Sequence, residues 1–340
     1  MAGSSWTVGR SCSTTSASPQ APEKEGDLVS RNTTVSCLTA APLPFDAATD
    51  LEEIVERTVD FWGRRLEDVL PDQPDIIVLP ETVDRPSAST FGPERLLEYY
   101  HHRGTRVRDY FAEVARQNGC HIAYSAVMFV DGIGQNCTQI LDRSGAVVGD
   151  YAKNFLVIDE NETLGLSYGQ RAQCFDLDFG RVGSAICFDL NFDEVRTAYV
   201  QAKPELLLFS SEYHGGLMQN YWAYSLRAYL AACVRPPAPS AILSPLGEVV
   251  ATSTNYFEHV TQTVNLDYAI LHLDGHWTKL ADIKRKYGPG VGIHDPGRLG
   301  PVLLTSESND FSVTDIVAEF DLELLDDYLA RARRHRAEHL

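Results

Sequence analysis

From Asn32 onward the chain alternates between short apolar runs and stretches whose apolar residues recur at helical spacing. Residues 34–38 predict a first strand. Over 50–70 the positions Leu51, Ile54, Val55, Trp62 and Leu66 line one face of a helix; Asp50 suits its N-cap and Pro71 ends it. A buried strand over 76–79 stops at Pro80-Glu81, and a helix follows over 93–118, broken at Gly104 and closed by Gly119. The pattern then predicts a strand over 121–130, a hairpin over 137–141 and 146–151, and a second strand pair over 175–178 and 182–188. Helix over 193–202, strand over 206–209 and helix over 217–231 come next, with further strands near 240–252 and 260–267.

Hairpins that alternate with helices fit neither a strict βα repeat nor an all-β chain. They predict an α/β fold of mixed sheets flanked by helices. Residues 1–31, rich in Ser, Thr, Pro and Gly, read as a tail outside the fold. Residues 32–270 read as the main domain. Residues 271–340 read as a C-terminal arm, either part of that domain or a dimer contact. Its Gly- and Pro-rich stretch 285–310 is expected to be extended, and an amphipathic helix to span about 322–337.

Composition narrows the partners. A formal charge of −18 argues against nucleic acid or an anionic membrane surface. No run approaches the roughly 18 apolar residues of a membrane span, and no secretory signal is visible in residues 1–30. The seven cysteines (12, 37, 120, 137, 174, 187 and 233) are odd in number, widely spaced and free of any CxxC pair. They predict free thiols in a reducing cytoplasm rather than a disulfide framework or zinc site.

Three chemically matched residues close three predicted strands: Glu81, Lys153 and Cys187. Strand termini face the crevice in which α/β proteins place their chemistry. A thiol where a strand turns into a helix can be held in a cleft near backbone N–H groups. A carboxylate can take its proton, and an ammonium can stabilise the charge that develops on an attacked carbonyl or nitrile and favour the thiolate. Taken singly, each residue has a plainer reading: a core cysteine, a surface carboxylate and a solvated lysine.

Together the three segments Leu79-Pro80-Glu81, Tyr151-Ala152-Lys153 and Cys187-Phe188-Asp189-Leu190-Asn191-Phe192-Asp193-Glu194 resemble the nitrilase superfamily, the carbon-nitrogen hydrolases, over roughly residues 33–268. The resemblance implies a four-layer αββα sandwich and a Glu81–Lys153–Cys187 triad, with subunits pairing through helices into a homodimer or larger homo-oligomer. It also implies a second glutamate past the lysine, Glu160 in preference to Glu162. Residues 209–216 resemble the family's substrate-pocket loop, so Tyr213 and His214, with Phe188 and Asn191, are the expected substrate-binding residues.

The activity implied is hydrolysis of a small carboxamide or N-carbamoyl compound through a cysteine thioester, with no metal or organic cofactor. Nitrile hydrolysis, acyl transfer and a silent binding subunit are the alternatives. The chain departs from relatives in three places. Asn154-Phe155 follows the lysine where many carry His and Pro, Leu190-Asn191 stands where some carbamoyl-amino-acid hydrolases carry paired arginines, and Phe188-Asp189 replaces the Trp-Glu of true nitrilases. His272 and His276, four apart, suit an arm or pocket role better than metal ligation.

Overall fold

A computed structural model describes residues 31–87, 91–298 and 300–340. The tail expected over 1–31 lies outside the described residues apart from Arg31, which binds Glu205 at 2.7 and 2.9 Å. The first half of the chain runs β1 (Asn32–Leu38), α1 (Leu51–Leu66), β2 (Ile76–Val78), α2 (Pro93–Arg103), α3 (Arg106–Asn118), β3 (His121–Val130), β4 (Ile133–Leu141), β5 (Val147–Ala152) and α4 (Ile158–Glu162). It continues through β6 (Cys174–Asp176), β7 (Arg181–Ile186), α5 (Asp193–Ala202), β8 (Leu206–Ser211), α6 (Leu217–Leu226), β9 (Tyr229–Val234), β10 (Ala241–Leu243), β11 (Val249–Thr252) and β12 (His259–Asn265). The last segment adds β13 (Tyr268–His272), α7 (Trp277–Tyr287), β14 (Val291–His294), β15 (Pro301–Ser306), α8 (Val313–Glu319) and α9 (Leu325–Glu338).

Two six-stranded mixed sheets form the centre, ordered β12-β1-β2-β3-β4-β5 and β11-β10-β9-β8-β7-β6. Strand alternation assigns the faces. In β1 and β2, Val35, Cys37, Ile76 and Val78 pack into the layer shared with the second sheet. Ile77 and Leu79 turn outward onto Trp62 of α1 and Phe111 of α3. Helices α5 and α6 cover the far side of the second sheet, where Trp222 is fully buried. The result is the four-layer αββα sandwich.

Most expected elements form within a residue or two, and the helix over 93–118 does break at Gly104. Two expectations are corrected. The helix over 217–231 ends at Leu226, where Arg227 caps it with φ 56°, and 229–234 is instead β9, paired in parallel with β8. A short apolar run is ambiguous by periodicity, and the neighbouring strand decides it. The stretch 285–310 is not an extended arm: β14 and β15 join β13 in a three-stranded antiparallel sheet. With α7 and α8 it encloses a separate core around Leu271, Ile283, Val302, Leu304 and Ile316. Leu325 of α9, with Ile270 and Leu303, packs on Leu246 of the main body.

In that lobe His276 donates from Nδ1 to His272 O at 2.7 Å and accepts the Glu323 N–H on Nε2 at 2.9 Å, so both ring nitrogens are engaged in packing. Among the described residues no helix is long and apolar enough to cross a membrane.

Candidate active site

Cys187 follows β7 directly, Lys153 follows β5 directly, and Glu81 stands three residues past β2. β2 and β7 each run parallel to a neighbour, so these ends open on one rim of the sandwich. Glu81 and Lys153 come from the first sheet and Cys187 from the second; the Ser210 hydroxyl, donating to Leu79 O at 2.8 Å, ties the two sheets just below them. All three side chains are buried.

Lys153 Nζ donates to Glu81 Oε1 at 2.8 Å and to Glu160 Oε2 at 2.6 Å. The amide of Asn136, on β4, donates to the same two carboxylates at 2.8 and 2.7 Å. Glu212 N donates to the remaining Glu81 oxygen at 3.2 Å. Every heavy atom of the Glu81 carboxylate is therefore oriented. Glu160 also accepts the Val157 N–H at 2.8 Å, whereas Glu162 is exposed. Burial lowers the Lys153 pKa, but the charges of Glu81, Glu160 and Cys187 outweigh it, and the side chain stays an ammonium.

Cys187 has φ 47°, a left-handed conformation that costs a non-glycine residue on the order of 1 kcal/mol or more. The buried carboxylate of Asp189 holds the turn. It accepts the Ile186 N–H at 3.0 Å and the Tyr151 hydroxyl at 2.8 Å on one oxygen, and the Phe155 N–H at 2.8 Å on the other. Burial raises the Asp189 pKa to about 6 against the pull of these donors.

The charge of Lys153 favours the Cys187 thiolate as expected, but it is not the largest influence on the thiol. Lys153 does pull its pKa down, but burial and the Glu81 charge push harder in the other direction, so the resting group is a thiol. A thiol beside an oriented carboxylate has its proton acceptor in place.

Around the cysteine, Asn191 Nδ2 donates to the Tyr213 hydroxyl at 2.8 Å and to Phe188 O at 3.0 Å, linking three of the expected substrate-binding residues. Phe155 stacks on Phe192 with ring centroids 3.7 Å apart. His214 serves its own loop: Nδ1 accepts the Gly216 N–H at 3.2 Å.

The chain matches the carbon-nitrogen hydrolase family over residues 34–271, well over half its length. It belongs to that family. No curated protein matches it by sequence. Among solved structures, Nit3 of Saccharomyces cerevisiae, a member of branch 10 of the nitrilase superfamily, superposes with a TM-score of 0.58 at 16% identity, covering 81% of this chain and 99% of that one. An amidase from Nesterenkonia sp. gives 0.56 at 15%, covering 74% and 96%. A carbon-nitrogen hydrolase from Helicobacter pylori gives 0.54 at 17%, covering 76% and 93%. At these identities the likeness is one of fold.

In this carbon-nitrogen hydrolase, three residues beside Glu81, Lys153 and Cys187 escaped sequence reasoning. Asn136 left a faint signal, an amide in mid-strand, where such residues are depleted. Asp189 stood in the cysteine motif without a role. Arg235, at the end of β9, left none. Its buried guanidinium donates to Ala40 O at 3.0 Å, Glu81 O at 3.1 Å and Thr82 O at 2.7 Å, fixing the backbone at the glutamate.

Proposed function

We propose that this hydrolase cleaves the C–N bond of a small carboxamide or N-carbamoyl compound through a thioester on Cys187. The observation that carries the reading is the Lys153 ammonium held between Glu81 and Glu160 beside a thiol on a left-handed turn. As Cys187 Sγ attacks the carbonyl carbon, Glu81 takes the thiol proton. The S–C bond forms, and the oxyanion is met by Lys153 and the backbone N–H of Phe188. Glu81 returns the proton to the departing nitrogen, and the C–N bond breaks to leave the thioester. Water attacks next, with Glu81 again as base; the C–S bond breaks, releasing the acid and regenerating the thiol. Glu160 and Asn136 hold Lys153 and Glu81 in register throughout.

A mutant of the Nesterenkonia amidase carries the acetamide moiety of fluoroacetamide covalently on its active-site cysteine; that adduct marks the sulfur as a nucleophile, the role proposed for Cys187. We take the working form to be a homodimer or larger homo-oligomer paired through outer helices and acting in the cytoplasm. The test is ammonia release from a panel of amides, N-carbamoyl amino acids and nitriles, with mass spectrometry of the trapped adduct. Cys187→Ala should abolish turnover with the fold retained; normal turnover in that variant would sink the assignment.

A further inference from the structure

Thr82, the residue after Glu81, has φ 45°. A β-branched residue takes this left-handed conformation only where its surroundings force it, and such strain collects at functional sites. The forcing contacts come from several directions. Arg235 Nη2 donates to Thr82 O at 2.7 Å and to Glu81 O at 3.1 Å, and the Arg85 N–H donates to Thr82 O at 2.9 Å. The Thr82 hydroxyl donates to Glu212 Oε1 at 3.1 Å. Beyond the turn, Trp62 Nε1 donates to Val83 O at 3.2 Å and the Tyr99 hydroxyl to Asp84 O at 2.9 Å. Each carbonyl from Glu81 to Asp84 thus receives a side-chain donor, which holds the segment in place.

Glu212 meets the proposed base from its other side. Its N–H is the donor to Glu81 Oε2, whereas Lys153 and Asn136 both hold Oε1. The Glu212 carboxylate is gripped in turn: Oε1 lies 2.8 Å from Arg85 Nη2 and 2.9 Å from Arg235 Nε. Arg235 also reaches Ala40 O with Nη1 at 3.0 Å. One buried guanidinium at the end of β9 therefore joins the chain past β1, the chain past β2 and the first residue past β8. A planar fork binds several fixed acceptors at once, which the point charge of a lysine does not. Glu81 is itself within hydrogen-bond reach of the Cys187 thiol. With Oε2 released, the carboxylate can turn away from the sulfur, and a displacement of about 1 Å costs on the order of 10² in rate.

We propose that Glu212 and Arg235 are positioning residues for Glu81: they hold the strained Thr82 turn and keep the Glu212 N–H on Oε2, so that one orientation of the carboxylate faces Cys187 and Lys153. Neither residue touches the reacting atoms. The proposal rests on the hydrolase reading above and deepens it. It ties the base to the loop over 209–216, because Tyr213 follows Glu212 directly.

The test uses Arg235→Lys, which keeps the charge without the fork, Glu212→Gln, and Thr82→Val, which removes only the hydroxyl. On the best amide of the panel, Arg235→Lys should lower kcat by about 10²-fold with KM changed less than about threefold. Glu212→Gln should lower kcat by about tenfold, and Thr82→Val by less. In the Glu81→Gln background none of them should lower it further, because a positioning residue acts only through the group it positions. Equal losses in both backgrounds would mark a structural role and overturn the proposal. Full kcat in both Arg235→Lys and Glu212→Gln would overturn it too, while leaving the hydrolase reading in place.

A second readout needs no substrate. The Cys187 thiolate midpoint, taken from ultraviolet difference spectra against Cys187→Ala, should fall by about one pH unit or more in Arg235→Lys, because a loosened Glu81 pushes less on the thiol. It should not move when Glu81→Gln is already present. A wild type that turns over no amide refutes the hydrolase reading, and the midpoint then decides alone. A fall confined to the chain with Glu81 intact supports the positioning role, and no fall overturns it. If Arg235→Lys does not fold, Thr82→Val carries the same comparisons.

Discussion

The buried carboxylate of Asp189 accepts the backbone N–H of Phe155 at 2.8 Å. With the Ile186 N–H on its other oxygen, this one side chain joins the turn that presents Cys187 to the loop that presents Lys153, across two different sheets. Cys187 and Lys153, the proposed nucleophile and oxyanion donor, are therefore positioned by a common anchor.

Asp189→Asn replaces an acceptor oxygen with a donor and leaves a backbone N–H or the Tyr151 hydroxyl unpaired. We expect a stability loss of about 2 kcal/mol or more by urea unfolding and a fall in kcat on the order of tenfold. The difference has a pH signature. The pKa of Asp189 is about 6 in the fold against 3.8 for an ordinary Asp, so the native state holds this proton longer than the unfolded chain. The stabilisation from its neutral form is complete below the lower value and is lost as pH rises through the upper one. The wild-type advantage over Asp189→Asn should therefore shrink between about pH 4 and 6, by up to about 1.4 kcal/mol per pH unit, and stay level above that range. A difference that grows with pH over the same interval would contradict this account.

Glu81, proposed to accept the Cys187 proton, also pushes the pKa of that thiol up. Glu81→Gln removes the negative charge, so the thiolate midpoint, followed by ultraviolet absorbance, should move down while turnover drops by about 10²–10⁴-fold. Lys153→Met should move the midpoint in the opposite direction, because the lysine charge is the one that lowers it. Shifts of the reverse sign would show that the charges are arranged otherwise.

Gly169 lies against the loop of Lys153. It donates its N–H to Lys153 O at 2.7 Å, and an added Cβ would meet Ala152 O at 2.0 Å. Backbone cannot yield as a side-chain tip can, so Gly169→Ala should cost about 1–3 kcal/mol in thermal or urea unfolding and lower kcat by displacing Lys153. Unimpaired turnover and stability would mean that this loop relaxes freely.

Much of this architecture was legible because its signals are local. The alternation of Val35 and Cys37 with their outward neighbours, the spacing of Ile54, Val55 and Trp62, and the breaks at Gly104 and Gly119 each declare themselves within a dozen residues. The strand β9 was not legible: its run Tyr-Leu-Ala-Ala-Cys-Val suits helix or strand, and pairing with β8 makes it a strand. Nor was the small C-terminal sheet, because Gly and Pro near 288–301 mark turns without saying whether the segments between them find partners.

At the site, the chain by itself determined the reacting types and their order, an acid, an amine and a thiol each at the end of an apolar run. Only the tertiary structure decided their state. Enclosure between two sheets desolvates Cys187 and puts Glu81 against it, so the thiol keeps its proton even though Lys153 is near. The same enclosure recruits Asn136 and Arg235 from distant segments and sets Asp189 against the loop of Lys153. Residue type sets what a group can do, and it is written locally. Solvent exclusion and the distances between charges set what the group does, and they exist only once remote segments are packed together.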